Sequence, residues 1–320
     1  MKLLNSPWFP RLLGILLVLI LVVDILVNPK QFVKKGNIDE WQGPDSAAIP
    51  LITNGPLIAY GRQLIIHTAS FLGPNGSVAH VSNGIDCQSC HMQAGEELYG
   101  NSFAVAALNY PQFSPRTGKV ENLADRINSC MQRSLNGVAL DSTSKEVKAM
   151  IAYIKWVGAD VNKASAPKGA GTEKLAYLDR AADPAKGAVI FNTKCTACHG
   201  KNGVGQLAAD GKTYIYPPLW GPHSYNVSAG MYRLGKLAGF IKNNMPYGTT
   251  YKSPQLSNEE AWDVAAYIEM QPRPHKLFPG DWPDIKKKPI DYPFGPYADN
   301  FSEKQHQLGP FAKIAALTKK

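Results

Sequence analysis

Two pentapeptides carry the most specific chemistry in the chain: Cys87-Gln88-Ser89-Cys90-His91 and Cys195-Thr196-Ala197-Cys198-His199. Each presents two thiols about one helical turn apart with an imidazole directly after them. This is the spacing with which a haem is held covalently: the thiols add to its vinyl groups and the histidine becomes the proximal iron ligand. A zinc site would draw two cysteine pairs together, but here each pair has its own histidine in a separate stretch of chain. A thioredoxin-type redox pair expects a βαβ context, and strand signals are weak throughout. The pattern predicts two covalently attached haem c groups, on Cys87 and Cys90 and on Cys195 and Cys198, with His91 and His199 on the irons. Attachment of this kind takes place outside the cytoplasm.

Each iron needs a ligand on its far side, and the identity of that ligand sets the potential. After the second motif the candidates are His223, Met231, Met245 and Met270. Met245 is favoured, because Pro246 and Gly248 follow it, where a chain leaves a helix and can present a thioether; the plain alternative is core filler. After the first motif, Met92 adjoins His91 and cannot reach the opposite face. The segment from Asn122 to Gly137 reads as a helix capped by Asn122 and ended by Gly137. At about 100° per residue, Arg126, Cys130, Arg133 and Gly137 share one face, with Ser134 at its edge. Ile127, Met131 and Leu135 form a different, apolar stripe. Cys130, the cysteine left over from the two motifs, therefore sits between two arginines and not in the greasy stripe. Two readings stand: a thiolate ligand in an anion-binding pocket, its pKa lowered by guanidinium groups, or a small buried hydrophobe with the arginines solvated or paired to haem propionates.

The elements that must hold these residues repeat one plan. Gly61-Arg62-Gln63-Leu64-Ile65 precedes the first motif and Glu146-Val147 with Tyr153-Ile154 follows it; Gly187-Ala188-Val189-Ile190-Phe191 precedes the second, and Glu260-Ala261 with Tyr267-Ile268 follows. The equal spacing from Glu to Tyr-Ile predicts a duplicated unit. The closing segments read as amphipathic helices opened by capping boxes, Thr143 with Glu146 and Ser257 with Glu260. Asp183-Pro184 is a cap and first-turn pair for the helix entering the second unit. The expected class is all-α with much loop: a cytochrome c-type domain over residues 29–162, an Ala-, Lys- and Gly-rich linker over 163–182, a second domain over 183–272, and a Pro-rich basic extension over 273–320 laid as a strap across the domains.

Residues 1–28 contain an apolar run from Leu12 to Val27 broken only by Asp24, enough for one bilayer crossing. No small-x-small cleavage site follows, so an uncleaved single-pass anchor is favoured over a signal peptide, with the domains on the periplasmic side of the cytoplasmic membrane. The 320 residues suit two domains behind such a segment, and a charged fraction of 18% excludes wholesale disorder. The formal charge of +9 would suit an anionic substrate, an anionic membrane or an acidic partner. No signature of nucleic-acid binding accompanies it. With two ferric haems, ionised propionates and one thiolate it falls to about +6.

Tyr110-Pro111, Arg116-x-Gly118-x-Val120 and the run Asp125-Arg126-Ile127-Asn128-x-Cys130-Met131-x-Arg133-Ser134-x-Asn136-Gly137 resemble the signature of the dihaem thiosulfate dehydrogenases. Tyr216-Pro217-Pro218-Leu219-Trp220-Gly221 and Asn244-Met245-Pro246-x-Gly248 are similar to that family's second domain. The resemblance covers roughly residues 50–275. It implies Cys130 as distal ligand of a catalytic first haem, Arg116, Arg126 and Ser134 as active-site residues, and a second haem between His199 and Met245. It implies coupling of two thiosulfate ions to tetrathionate, with electrons passing to a cytochrome c or a terminal oxidase. Arg133 joins Arg116 and Arg126 as a further anion donor. Tetrathionate reduction would use the same parts. Two other classes compete: a non-catalytic anchored electron carrier, favoured by the anchor and basic tail, and a haem-thiolate subunit like the sulfur-carrier cytochromes of the Sox system. Many family members are soluble, and the family pattern does not explain the extension from His275 onward.

Overall fold

The computed structural model describes residues 41–318. The principal elements in chain order are α1 (Gly55–Ile66), β1 (Gln112–Ser114), β2 (Lys119–Glu121), α2 (Leu123–Arg133), α3 (Lys145–Val157), α4 (Pro184–Lys194), β3 (Gln206–Leu207), β4 (Tyr214–Tyr216), α5 (Leu234–Asn244), α6 (Asn258–Glu269), α7 (Glu303–Leu308) and α8 (Ala312–Thr318). Helix and loop dominate, as expected. The expectation of a purely helical chain needs one amendment: β1 pairs with β2, and β3 with β4, in two short antiparallel ribbons.

The repeat is visible as one helix crossing made twice. In the first unit α1 packs on α3, and in the second α4 packs on α6. A glycine makes both crossings possible. A Cβ on Gly61 would lie 2.0 Å from the Ala149 carbonyl oxygen, and one on Gly187 would lie 2.0 Å from that of Asp263. Tyr153 and Tyr267, each four residues further on, press on the same two glycines. Large apolar side chains fill in behind: Leu64, Met131, Met150 and Tyr153 in the first unit, Phe191, Leu234 and Trp262 in the second, all at most 2% exposed.

The caps follow from side-chain chemistry. Ser257 and Glu260 form the expected box at α6, and Asp183 accepts from the Ala185 and Lys186 amides ahead of Pro184. At α3 the cap is Ser144, not Thr143, and Glu146 instead accepts a hydrogen bond from the Tyr60 hydroxyl at 2.9 Å. Asn122 and Asp125 close a reciprocal box at α2. That helix ends at Arg133, short of Gly137. Asn136 turns to φ 45°, and Gly137 passes so close to the Val81 carbonyl oxygen that a Cβ would sit 1.9 Å from it. The last carbonyls of α2 are satisfied from the second unit: the Asn226 side chain donates to Gln132 O at 2.9 Å and its backbone amide to Arg133 O at 3.1 Å.

The segment expected as a linker, residues 163–182, is packed onto the second unit. Leu175 and Ala182 are buried, the Trp262 indole donates to Ala176 O at 3.0 Å, and Arg180 pairs with Asp263 at 2.7 Å. The C-terminal extension does lie as a strap, with two short helices at its end. Leu308, Phe311 and Ile314 from that end enter the second unit's core beside Trp262. Among the described residues no helix is long and apolar enough to cross a membrane; the anchor expected over residues 1–28 lies outside them.

Candidate active site

Both motif histidines are held in the same way. His91 Nδ1 lies 2.6 Å from the Asn101 carbonyl oxygen and His199 Nδ1 lies 2.9 Å from that of Pro217. A carbonyl can only accept, so each Nδ1 carries the proton and each Nε2 keeps its lone pair for a metal. Burial also lowers the pKa of His199 and favours the neutral ring. The Phe103 ring lies 4.5 Å from that of His91, and Tyr216 lies 6.3 Å from His199.

One cavity of about 1060 Å³ is lined by Cys87, Cys90 and His91 and also by Cys195, Cys198 and His199. The two attachment motifs therefore open into continuous space, at the upper end of the ~300–1,000 Å³ usual for a small-molecule site. Cys130, Arg126 and Ser134 on or just after α2 face into it, as does Met245 at the end of α5.

Cys130 and three of the motif thiols fall apart electrostatically. Burial pushes Cys87 and Cys90 up to about 12 and Cys195 up to about 11. Cys130 is also enclosed, and burial alone would raise it. Arg126 opposes that first, then the His91 side chain and the charge of Arg116, and the thiol falls to about 7. Arg126 is raised in return, chiefly by Cys130. His91 and Cys130 both line the cavity, and Arg126 supplies the countercharge for a thiolate at Cys130.

The three arginines do not act as one set. Arg126 lines the cavity. Arg116, in the turn between β1 and β2, stands behind it and is absent from the cavity wall; its Nη1 donates to Ser228 O at 2.8 Å. Arg133, expected as a further anion donor beside Cys130, is turned away. It is 6% exposed, forms two 2.7 Å hydrogen bonds to the Asp281 carboxylate, and lies 3.8 Å over the Phe278 ring. Both partners belong to the strap, which helix geometry from one segment could not reveal. Ser134 lines the cavity as the cap residue of α2.

Among the second-motif candidates, Met270 is 55% exposed and His223 is absent from the cavity wall. Met231 lines the cavity, but its sulfur accepts from the Asn101 amide at 3.7 Å, beside the first motif. Met245 is left as the thioether presented at the end of a helix into the cavity. The sequence reading missed Asn101 and Pro217, which orient the two imidazoles. Asn101 carried a usable signal, since it takes a left-handed φ of 56°, where asparagine is favoured.

This wall fits two haem c groups: paired thiols, histidines with Nδ1 tied back, and apolar surroundings. The SoxA/TsdA cytochrome c domain model matches residues 77–162, and the Cytochrome c model matches residues 184–271. A thiosulfate dehydrogenase of Psychrobacter arcticus is 39% identical over 244 residues, 75% of this chain and 71% of that protein. One of Allochromatium vinosum is 39% identical over 235 residues, 72% of this chain and 83% of that protein. The solved thiosulfate dehydrogenase (TsdBA) of Marichromatium purpuratum, in its as-isolated form, superposes with a TM-score of 0.65 at 31% identity, over 72% of this chain and 49% of that one. This chain spans about half the length of that protein. With the two motifs, the duplicated helix crossing and these relatives together, the chain belongs to the thiosulfate dehydrogenase family, as a cytochrome with two covalently bound c-type haems.

Proposed function

We propose that this protein oxidises thiosulfate to tetrathionate at the cavity face of α2, with Cys130 and His91 as the two ligands of the first iron and His199 and Met245 as those of the second. The observation that carries this reading is Cys130. Arg126 brings its thiol down to about 7, and it lines the same cavity as His91.

Two thiosulfate ions become one tetrathionate ion and two electrons. Bound haems would supply two one-electron acceptors. The protein's own groups manage charge and position. Arg126, with Arg116 behind it, offsets the repulsion of bringing two dianions together. Ser134 offers a hydroxyl to a sulfonate oxygen. The Cys130 thiolate bonds the outer sulfur of one thiosulfate as two electrons leave. A second thiosulfate then attacks that sulfur, forms tetrathionate and restores the thiolate, so atoms and electrons balance. A haem held by His199 and Met245 would carry the electrons on to a cytochrome c or a terminal oxidase. An anchor over residues 1–28 would keep both domains at the periplasmic face of the membrane, near such an acceptor.

The test is the Cys130→Gly variant, purified with both haems loaded and assayed for thiosulfate-dependent ferricyanide reduction. Turnover is expected to fall by about 100-fold or more, and the low-spin thiolate signal in electron spin resonance is expected to vanish. Undiminished turnover would sink the proposal.

A further inference from the structure

The chain beyond residue 271 lies outside both matched domain models, yet it touches the arginines of the site. The Ser228 hydroxyl donates to Lys276 O at 2.7 Å, and Lys276 Nζ donates to Gly137 O at 2.6 Å, just past the end of α2. Phe278 and Asp281 take up Arg133 from both sides. The Trp282 amide then donates to Arg116 O at 2.6 Å, and its ring lies 5.3 Å from the Arg116 guanidinium, with Tyr292 at 5.8 Å. Pro283 closes over the same turn. Gly118 has φ +68°, and a Cβ there would meet Pro283 Cγ at 2.7 Å.

Trp282 itself stands at φ 61°. A bulky residue is rarely left in that region unless its surroundings impose it, and such outliers collect at functional sites. Here the conformation lets one residue give its amide to the Arg116 backbone and its ring to the Arg116 side chain. Electrostatics points the same way. Burial first, and then Arg133 and Arg126, disfavour the charge on Arg116, while Tyr292 and Asp281 support it. Without Asp281, Arg133 would add its charge to those of Arg116 and Arg126 with no carboxylate of its own.

We propose that Asp281 and Trp282 are positioning residues for the anion site: Asp281 withdraws Arg133 from it, and Trp282, with Tyr292, fixes Arg116 beside Cys130 and Arg126. The inference rests on the reading of this cavity as a thiosulfate site. It gives the strap a part in substrate binding beyond holding the domains together.

The experiment uses the full dihaem chain with Trp282→Ala. KM for thiosulfate is expected to rise about tenfold with kcat within about twofold. The dissociation constant of sulfate, an unreactive dianion followed by its shift of the haem absorption, is expected to weaken in parallel. The thiolate spin-resonance signal should persist. Trp282→Phe, which keeps the ring face and lacks the indole N–H, should restore KM to within about twofold of wild type. In an Arg116→Lys background, Trp282→Ala should add less than about twofold, because both changes act through one guanidinium. Unchanged KM and sulfate binding in Trp282→Ala, or full additivity with Arg116→Lys, would overturn the proposal. If the alanine form does not load haem, Trp282→Leu, which keeps bulk and removes the aromatic face, answers the same question. A wild type that fails to oxidise thiosulfate would overturn the reading of the site instead. The sulfate comparison then decides the strap's role alone: weakened binding supports it and equal binding overturns it.

Discussion

Cys130 and Asp86 line the same cavity, and burial acts on both, but their neighbours differ. Arg126 and His91 outweigh burial at the thiol. At Asp86 only the Ala69 amide, at 2.8 Å, opposes it, and the carboxyl is pushed up to about 6. A carboxylate formed beside the first haem stabilises the ferric state over the ferrous. The first haem's midpoint potential should therefore fall as pH rises through about 6 and level off above it. Asp86→Asn should flatten that step in a spectroelectrochemical titration from about pH 5 to pH 8; an identical slope in the variant would exclude Asp86 as its source. Both haem attachment motifs were legible at this scale, because covalent chemistry dictates their spacing. So was the odd position of Cys130, set by helical periodicity between Arg126 and Arg133. The fate of Arg133 was not, because its partner Asp281 lies 148 positions away in the chain.

At the scale of elements, the helix crossing is the unit that was duplicated, and its glycines are its weak points. Alanine is normally the better helix former by roughly 0.5–1 kcal/mol, so propensity alone predicts that Gly61→Ala and Gly187→Ala stabilise. Packing predicts the reverse, since each new methyl would lie 2.0 Å from a carbonyl oxygen of the partner helix. We expect a loss of about 3 kcal/mol in either variant, near the upper end for overpacking, and a drop of about 10 °C in the calorimetric midpoint of the unit concerned. A raised midpoint would refute the account. The helices and most of their caps followed from local pattern, including the Asn122 box and the Asp183-Pro184 start. The end of α2 did not. It depends on the close pass of Gly137 to Val81 and on Asn226, a residue of the other unit that receives the last carbonyls.

Across the whole molecule, the C-terminal residues complete the second unit. Leu308, Phe311 and Ile314 are 8%, 3% and 0% exposed, and Phe311 packs against Trp262 and Tyr177. Removing residues 302–320 should cost about 5 kcal/mol or more, from roughly 1.5–3 kcal/mol for each large buried side chain. Calorimetry should show the second unit unfolding well below the first in the truncated form, and coincident transitions unchanged from the full chain would contradict this. The segment expected as a free linker belongs to the same body: Arg180, Leu175 and Ala176 tie it to α6 and the core around it. Its small and charged residues hid this, because beside the buried Leu175 and Ala182 it is held by backbone carbonyls and the two ion pairs of Arg180.

By itself the sequence determined the cofactor chemistry, the duplication, the helices and the place of Cys130 on α2 outside the apolar stripe. All of these rest on spacing within a few turns of chain. Tertiary structure alone decided that both motifs open into one cavity, that Met231 is engaged by Asn101 while Met245 lines the cavity at a helix end, and that Arg133 is neutralised while Arg116 is stacked and held. Those outcomes depend on contacts between residues far apart in sequence, where burial and charge are set by whatever the fold brings alongside.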